Sequence, residues 1–241
     1  MSSERATGTG GTRRQALVVR GGWEGHAPVE ATDGFVPFLQ ASGFDVRVED
    51  SPAVYADAAV MTATDLVLQC VTMSSIEAAP LAGLRAAIEA GTGFAGWHGG
   101  IVDSYRASSS YLQLVGGQFA EHPGKPAEER HGEASDNFVP HRIVLTDAGR
   151  AHPVTADVED FELTTEQYWV LADDYNDVLA TTTQAVRPGD PWTRPVTSPA
   201  VWTRQWGRGR IFVCTPGHSL DVLAEPHVRG IIERGLLWAA R

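Results

Sequence analysis

A histidine set between glycines, directly after a short apolar run, constrains this chain more than any other feature. The run 93–97 has the pattern of a buried strand, and it leads into the sequence Gly96-x-His98-x-Gly100. Glycine reaches backbone angles that other residues adopt only with strain, so the chain can bend sharply here and present His98 at the edge of a sheet. The spacing copies a nucleophile elbow, with an imidazole in the place of the usual thiol or hydroxyl.

Apolar runs alternate with helical patterns on both sides of this histidine. Strands are predicted at 16–19, 44–48, 65–71, 142–145, 178–182, 201–202 and 210–215. Helices are predicted at 28–42, 81–88, 104–115 and 226–240. Since strands and helices alternate, we expect an α/β fold with a doubly wound, mainly parallel sheet and helices on both of its faces.

A length of 241 residues suffices for one α/β domain with its own core. We expect a single domain over residues 15–241, with a polar insert around 118–200, after a disordered leader at 1–14. Thirty acidic against nineteen basic residues give a net charge of -11 without a basic stripe, so nucleic acid is not an expected partner. No apolar run approaches the ~20 residues of a membrane span. We therefore expect a cytoplasmic protein without a membrane partner, and whether it forms a homo-oligomer stays open.

Several polar side chains follow predicted strands at their carboxyl ends. Ligands of such sheets bind beyond these ends, at the point where the strand order reverses. His26, Gln69 and His98 lie at such positions, and His218 follows a later strand in the same way. The carboxylate that we expect to join them is Glu166, since it lies in a mixed polar and aromatic run that strand alternation does not require.

An ordered set of motifs extends across residues 15–241. The motifs are Gly21-Gly22-Trp23-x-Gly25-His26-x-Pro28, Gly96-Trp97-His98-Gly99-Gly100, Gly116-Gly117-Gln118-Phe119 with His122-Pro123, His152-Pro153-Val154-Thr155, Glu166-Gln167-Tyr168, and Trp206-Gly207-Arg208-Gly209-Arg210 leading to Gly217-His218. Together they resemble the trehalose-utilization (ThuA-like) family. The resemblance implies a class I glutamine amidotransferase-like, flavodoxin-like fold and a role in the metabolism of disaccharides and modified sugars.

The amidotransferases that share this fold pair an elbow cysteine with a later His-x-Glu. In this chain the elbow position is His98, and His218 is followed by Ser219 rather than by an acid two residues on. Cys70 and Cys214 match no elbow and are expected to be buried, reduced thiols. Glutamine hydrolysis through a thiolate is therefore not expected.

The first hypothesis is an enzyme that acts on a small carbohydrate, namely a disaccharide, a glycoside or a keto-sugar, by hydrolysis, elimination or isomerisation. His98 and His218 would exchange protons with the substrate, and Glu166 would bind a hydroxyl or act as the base. Aromatic rings suit the apolar faces of sugars. The expected substrate-binding residues are His26, Trp23, Trp97, Gln69, His122 and Tyr168. The alternative is a sugar-binding or assembly protein without catalysis.

A divalent metal is a further alternative for the same residues. His26, His98, His218 and Glu166 offer the imidazole and carboxylate donors that Zn, Mn or Fe accepts. The sequence contains no short-spaced pair such as H-x-H or H-E-x-x-H. The residues alone therefore do not decide between a metal site and a metal-free acid–base set.

Overall fold

The computed structural model describes residues 13–241. Residues 1–12, most of the expected leader, lie outside the described residues, and Arg14 already pairs with Phe44 in the first strand. The strands are β1 (Arg14–Gly22), β2 (Phe44–Glu49), β3 (Leu66–Thr72), β4 (Gly93–Trp97), β5 (Gly117–Glu121), β6 (Phe138–Leu145), β7 (Phe161–Glu166), β8 (Trp169–Ala172), β9 (Asp177–Gln184), β10 (Val196–Trp206) and β11 (Gly209–Cys214). The α-helices are α1 (Pro28–Asp33), α2 (Val36–Ala41), α3 (Ala58–Ala63), α4 (Ala78–Glu89), α5 (Gly99–Val102), α6 (Ser109–Val115), α7 (Asp147–Arg150), α8 (Leu220–Ala224) and α9 (Pro226–Ala239).

A nine-stranded sheet in the order β2-β1-β3-β4-β11-β10-β9-β6-β7 forms the centre of the molecule. The first five strands are parallel, and the other four continue the sheet in antiparallel fashion. Every residue of β3 and β4 is buried, because helices cover both faces there. The expected α/β fold with a large, mainly parallel sheet flanked by helices is confirmed. Among residues 13–241, no helix is both long and apolar enough to cross a membrane.

Two apolar layers fill the space between the sheet and its helices. On one face, Phe35, which directly precedes α2, and Leu39 of α2 pack with Ile232 of α9 against the sheet. On the other face, Leu84 of α4 and Leu114 of α6 do the same. Successive residues of a strand point to opposite faces, so neighbouring positions in β1 and β4 belong to different layers.

The segment 118–200 is not a separate polar insert. It contains β6, β7, β9 and β10, which extend the main sheet, and β8, which pairs with β5 in a two-stranded ribbon. Its polar residues alternate with apolar ones such as Ile143 and Leu179, which are buried in the core. β10 begins at Val196 and accommodates Pro199 beside an irregularity in its pairing with β9.

Two helix predictions need correction. The helix expected at 28–42 is divided into α1 and α2 around Gly34. The helix expected at 104–115 starts only at Ser109, because the Ser108 hydroxyl accepts the backbone N–H of Tyr111 and so ends the preceding loop as a helix cap.

The contact between α4 and the backbone of Tyr55 predicts that Gly83→Ala destabilises the fold. A Cβ at Gly83 would lie 1.9 Å from the carbonyl oxygen of Tyr55, which is backbone and cannot rotate away. We expect the free energy of unfolding to fall by about 1–3 kcal/mol in chemical denaturation, although alanine is the better helix former by ~1 kcal/mol.

Gly230→Ala in α9 is the matched control for this prediction. There the added Cβ would meet only the guanidinium end of the Arg234 side chain, which can move aside. We expect an unchanged or higher free energy of unfolding, by up to ~1 kcal/mol. Equal stability of the two variants would contradict the packing argument.

Candidate functional site

A strained bend holds His98 at the carboxyl end of β4. His98 has φ 48° and ψ -145°, a region that residues with a side chain rarely adopt. Its backbone N–H donates to the carbonyl of Cys214 at 2.7 Å. A Cβ at Gly99 would lie 2.7 Å from Cε1 of His26, and one at Gly100 would lie 2.9 Å from Cα of Cys70. The glycines therefore allow the bend to approach both β3 and the His26 ring closely.

The contacts of His98 determine which nitrogen of its ring carries a proton. Nδ1 lies 2.8 Å from the carbonyl oxygen of Thr215, which can only accept, so Nδ1 is the donor. In the neutral ring, Nε2 is therefore the acceptor. The Tyr168 hydroxyl lies 2.7 Å from Nε2. Burial raises the pKa of Tyr168, so its hydroxyl keeps the proton and donates it to this bond.

Glu166 is the centre of the cluster. Its Oε2 lies 3.1 Å from Nε2 of His98 and 3.2 Å from Nδ1 of His218, and its Oε1 lies 3.6 Å from Nε2 of His122. Burial by itself disfavours the charged carboxylate, but the contacts with His218, and with His98 when its ring carries both protons, lower the pKa of Glu166 far below its usual value. Glu166 is therefore a buried anion surrounded by three imidazoles.

His26 completes the cluster from the loop after β1. Its ring lies 4.7 Å from the ring of His98 and 5.1 Å from that of His218, measured between centroids. Its Nδ1 lies 3.0 Å from the hydroxyl oxygen of Thr72. Burial, together with the charges that His98 and His218 would carry, lowers the pKa of His26 to about 3. Burial also lowers the pKa of His98. Both rings therefore bind a second proton less readily than an exposed histidine does.

The same residues fit a divalent cation. One ligand atom from each of His26, His98, Glu166 and His218 can be chosen so that all four lie within 4.8 Å of one another. Nδ1 of His218 is buried and has no well-aligned hydrogen bond, although it lies near Glu166. Imidazole nitrogens and an ionised carboxylate are the donors that Zn, Mn and Fe accept.

Most of the residues singled out in the sequence lie together in this cluster. The members are His26, His98, His122, Glu166, Tyr168 and His218. The exposed ring of Trp23 borders them, in edge contact with His26 at 4.8 Å. The histidines that are distant in the sequence therefore lie together at one edge of the sheet, as expected. The catalytic and binding roles assigned to them stay predictions.

Gln69 and Trp97 do not fit the substrate-binding role predicted for them. Gln69 is fully buried, where its amide nitrogen contacts the Tyr111 hydroxyl at 2.6 Å. Trp97 is buried against Phe35, with 4.7 Å between ring centroids. Both side chains point into the layers between the sheet and the helices rather than toward the cluster, although Trp97 is the last residue of β4.

Three residues of the site are missing from the sequence predictions. Thr215 orients His98 through its carbonyl, Phe138 packs on the His218 ring at 5.1 Å, and Phe119 packs on Tyr168 at 4.6 Å. The position of Thr215 at a strand end is a signal that could have identified it. Phe138 follows a polar stretch that gave no such signal.

Comparisons with known proteins agree with this architecture. A family model described as trehalose utilisation (ThuA) matches residues 15–239. One similar solved structure is a ThuA-like protein from Bacteroides uniformis ATCC 8492, with 17% sequence identity, a TM-score of 0.71, and coverage of 98% of this chain and 95% of that chain. Another is a ThuA-like protein from Parabacteroides merdae ATCC 43184, with 14% identity, a TM-score of 0.68, and coverage of 95% of this chain and 90% of that chain. A cytoplasmic protein from Salmonella typhimurium LT2 is also similar, with 13% identity, a TM-score of 0.62, and coverage of 94% of this chain and 100% of that chain. A search of curated proteins found no match. At these identities the solved structures show the fold alone.

The low pKa of His26 predicts that His26→Asn weakens the acid sensitivity of the metal-free protein. An unfolded histidine binds its proton near pH 6.5, whereas folded His26 binds it only near pH 3. Between these values the unfolded chain binds more protons, so the free energy of unfolding falls as the pH falls, by at most ~1.4 kcal/mol per pH unit for this group.

Denaturant unfolding with chelator present, from pH 7 to pH 4.5, measures this slope. We expect the slope of the His26→Asn variant to be smaller than that of the wild type. His98, His218, His122 and Glu166 face His26 and are retained in both proteins. Parallel stability curves for the two proteins would show that folded His26 titrates as it does in the unfolded chain.

Proposed function

We propose, from the premise that the chain belongs to the ThuA family of trehalose utilisation, that it is an enzyme of sugar metabolism. Its substrate is a disaccharide, a glycoside or a keto-sugar, and its chemistry is proton transfer in a hydrolysis, an elimination or an isomerisation. The family supports the class of substrate, and the cluster around Glu166 supports the class of chemistry.

The observation that carries this proposal is the buried, ionised carboxylate of Glu166 among three imidazoles. A buried charge without partners is strongly unfavourable, and a buried ion pair gives little net stability. A structural role therefore accounts poorly for such a cluster at the carboxyl edge of the sheet. Titratable groups with strongly shifted pKa values are concentrated at functional sites, where desolvation and neighbouring charges adjust them for catalysis.

The three principal residues have different roles in this proposal. An effective general base has a pKa near the working pH, so Glu166, with its lowered pKa, acts as a fixed anion that binds a cation or a proton of its neighbours. His98 is held in one tautomer by Thr215 and Tyr168, so the Nε2 of the neutral ring is an acceptor that lies 3.1 Å from another acceptor, Oε2 of Glu166, and a proton or a cation between them would stabilise the pair. His218 is less buried than His98, so it is the imidazole that exchanges a proton with the substrate.

A divalent ion would be held by His26, His98, His218 and Glu166. When bound, it would polarise a substrate oxygen and stabilise the negative charge that develops there. The protein side chains would orient the sugar and transfer its proton. His122, which contacts the other oxygen of Glu166, would hold that carboxylate in place.

A cavity of about 380 Å³ reaches the cluster at His122. Its lining is largely polar and includes Arg130, Asn137, Asp190 and Trp192. Such a lining suits a ligand with many hydroxyl groups, since each hydroxyl both donates and accepts a hydrogen bond. This cavity therefore supports the entry of a polar sugar rather than an apolar ligand.

Two buried thiols argue against the glutaminase chemistry of fold relatives. Cys70 and Cys214 are free and buried, and neither is at the bend. Burial raises the pKa of the Cys70 thiol to about 12 and also raises the pKa of the Cys214 thiol, so both thiols stay protonated at neutral pH. A protonated thiol is not a nucleophile.

We predict that His218→Ala lowers kcat by about 10²–10⁴-fold, the usual contribution of a general acid or base. The assay incubates the protein with trehalose, other disaccharides and their oxidised keto forms, and identifies products by mass spectrometry. His131→Ala, at an exposed histidine, is the control and should retain activity. Unchanged turnover in His218→Ala would contradict the proposal. Sugar binding by calorimetry without any product would favour the non-catalytic sugar-binding alternative.

We also predict that the wild type binds about one divalent ion per chain and that Glu166→Gln binds it at least tenfold more weakly. The amide of Gln keeps the size of the side chain but removes the charge that attracts the cation. Elemental analysis after dialysis against limiting Zn, Mn or Fe measures occupancy without reference to activity. A wild type that stays free of metal under these conditions would restrict the proposal to metal-free acid–base chemistry.

A further inference from the structure

The cavity that reaches the cluster at His122 contains an arginine without a carboxylate partner. Arg130 lines this cavity of about 380 Å³ and is exposed to solvent. Although the chain carries thirty acidic residues, no carboxylate within residues 13–241 forms an ion pair with Arg130. An arginine side chain stays protonated throughout the pH range in which proteins fold. Arg130 is therefore an accessible cation beside the candidate active site.

Two hydrogen bonds fix the orientation of the Arg130 guanidinium. Nε donates to the carbonyl of Lys125 at 2.8 Å, and Nη2 donates to the carbonyl of Pro123 at 2.6 Å. These bonds use the edge of the planar group that Nε and Nη2 share. The edge formed by Nη1 and the second N–H of Nη2 has no partner in the described part of the chain. Two parallel N–H groups match the oxygens of a carboxylate or a phosphate.

The other charged side chains of the lining differ from Arg130. Arg187 and Asp190 compensate each other, since Nε of Arg187 lies 3.4 Å from Oδ2 of Asp190 and the backbone N–H of Arg187 donates to the same oxygen at 2.8 Å. Glu121 accepts the backbone N–H of His122 at 2.9 Å, and its side chain is 66% exposed, so water and salt screen its charge. Arg130 is thus the cation of this lining that a ligand can neutralise.

Neutral groups of the same lining suit a sugar ring. Asn137 is half-buried, and its side-chain amide makes no hydrogen bond to any residue of 13–241, so it can both donate to and accept from hydroxyls. Trp192 is also half-buried and lines the cavity. An aromatic ring of this kind can contact the apolar C–H face of a sugar. The cavity therefore offers groups for a sugar ring as well as a cation for an anionic substituent.

The position of Arg130 relative to Glu166 suits an anionic substituent on a substrate. The carbonyl that Nη2 of Arg130 contacts belongs to Pro123, the residue after His122. Nε2 of His122 lies 3.6 Å from Oε1 of Glu166 on the cluster side. A second anion in contact with the buried carboxylate of Glu166 would be repelled. Arg130 lies outside the cluster, so it can hold an anionic group away from Glu166.

We propose that the ligand of the candidate site is an anionic sugar and that Arg130 binds its negative group. That group has two possible sources, the carboxylate of a sugar acid and the phosphate of a sugar phosphate. The choice of a sugar rests on the proposed function, whereas the need for an anionic group rests on Arg130 and its cavity. Arg130 is therefore a specificity-determining residue, which selects a charged substrate over its neutral counterpart.

Titration of the full-length protein with charged and neutral sugars tests this proposal. The probes are glucuronate, glucuronamide, glucose 6-phosphate and glucose, with chelator present so that phosphate cannot bind through a metal. Glucuronamide has the size of glucuronate without its charge. Using calorimetry, we expect at least one of the two anions to bind about tenfold or more tightly than its neutral counterpart, because hydrogen bonds to charged groups are the stronger ones.

Three variants assign the preference to Arg130. Arg130→Gln should bind charged and neutral sugars equally and retain the affinity for the neutral ones. Arg208→Gln is the matched control and should retain the preference. Arg208 is exposed, forms no ion pair with the described residues and donates through Nε and Nη2 to the carbonyl of Ala90, but it lies in the turn before β11, whereas His218 follows the other end of that strand. Glu121→Gln removes a negative charge from the same lining and should bind the anion at least as tightly as the wild type does.

The two anionic probes separate the two sources. A preference for glucuronate over glucuronamide identifies a sugar acid, and a preference for glucose 6-phosphate over glucose identifies a sugar phosphate. Both results support the proposal. A wild type without either preference would overturn it, and so would a preference that survives Arg130→Gln. Equal weakening by Arg130→Gln and Glu121→Gln would also overturn it, since a general disturbance of the cavity would then explain the loss.

The His218→Ala variant separates this proposal from the proposed function. It lacks the imidazole that is proposed to exchange a proton with the substrate, so the preference for an anionic sugar should persist in it, even if the wild type turns over no sugar. Turnover of neutral sugars by a wild type that shows no preference for the anions would leave the proposed function standing and overturn the role of Arg130.

Discussion

The contact of one buried carboxylate with several imidazoles is the interaction on which the site depends. Glu166 ends β7, in the antiparallel half of the sheet, whereas His98 and His218 follow β4 and β11 in the parallel half. A buried anion is tolerated only when partners compensate its lost hydration. The carboxylate therefore links the two halves of the sheet at the point where chemistry is proposed, and its ionisation depends on the histidines being in place.

A supporting layer beneath the bend explains how a strained residue can be held at this position. His98 adopts a positive φ, and strain of this kind persists only where surrounding contacts determine the backbone. Gln69 lies below the bend and contacts the Ser104 hydroxyl at 3.0 Å, while that hydroxyl donates to the carbonyl of Gly100 at 2.9 Å. A fully buried polar network is rigid when its members are satisfied. Gln69 thus supports the site without reaching it.

The segment 118–200 supplies the carboxylate and the phenol of the cluster. Glu166 ends β7, Tyr168 follows two residues later, and His122 comes directly after β5. β10, β9, β6 and β7 continue the sheet beyond β11, at the edge of its parallel half. The pairing of these strands with the parallel half therefore brings Glu166 to the imidazoles that follow β4 and β11.

The sequence by itself determined the local elements and the chemistry that they carry. Periodicity identified β1 to β4, α4 and α9, and the glycines around His98 predicted a sharp bend, because these signals depend on residues close together in the chain. Only the tertiary structure decided that residues 118–200 extend the sheet, that Gln69 and Trp97 point into the core, and that Glu166 meets His98 across 68 positions of sequence. Strand pairing and burial set those outcomes. Strand pairing and burial both depend on which distant segments pack together, and a pattern among residues close in the chain does not specify those partners.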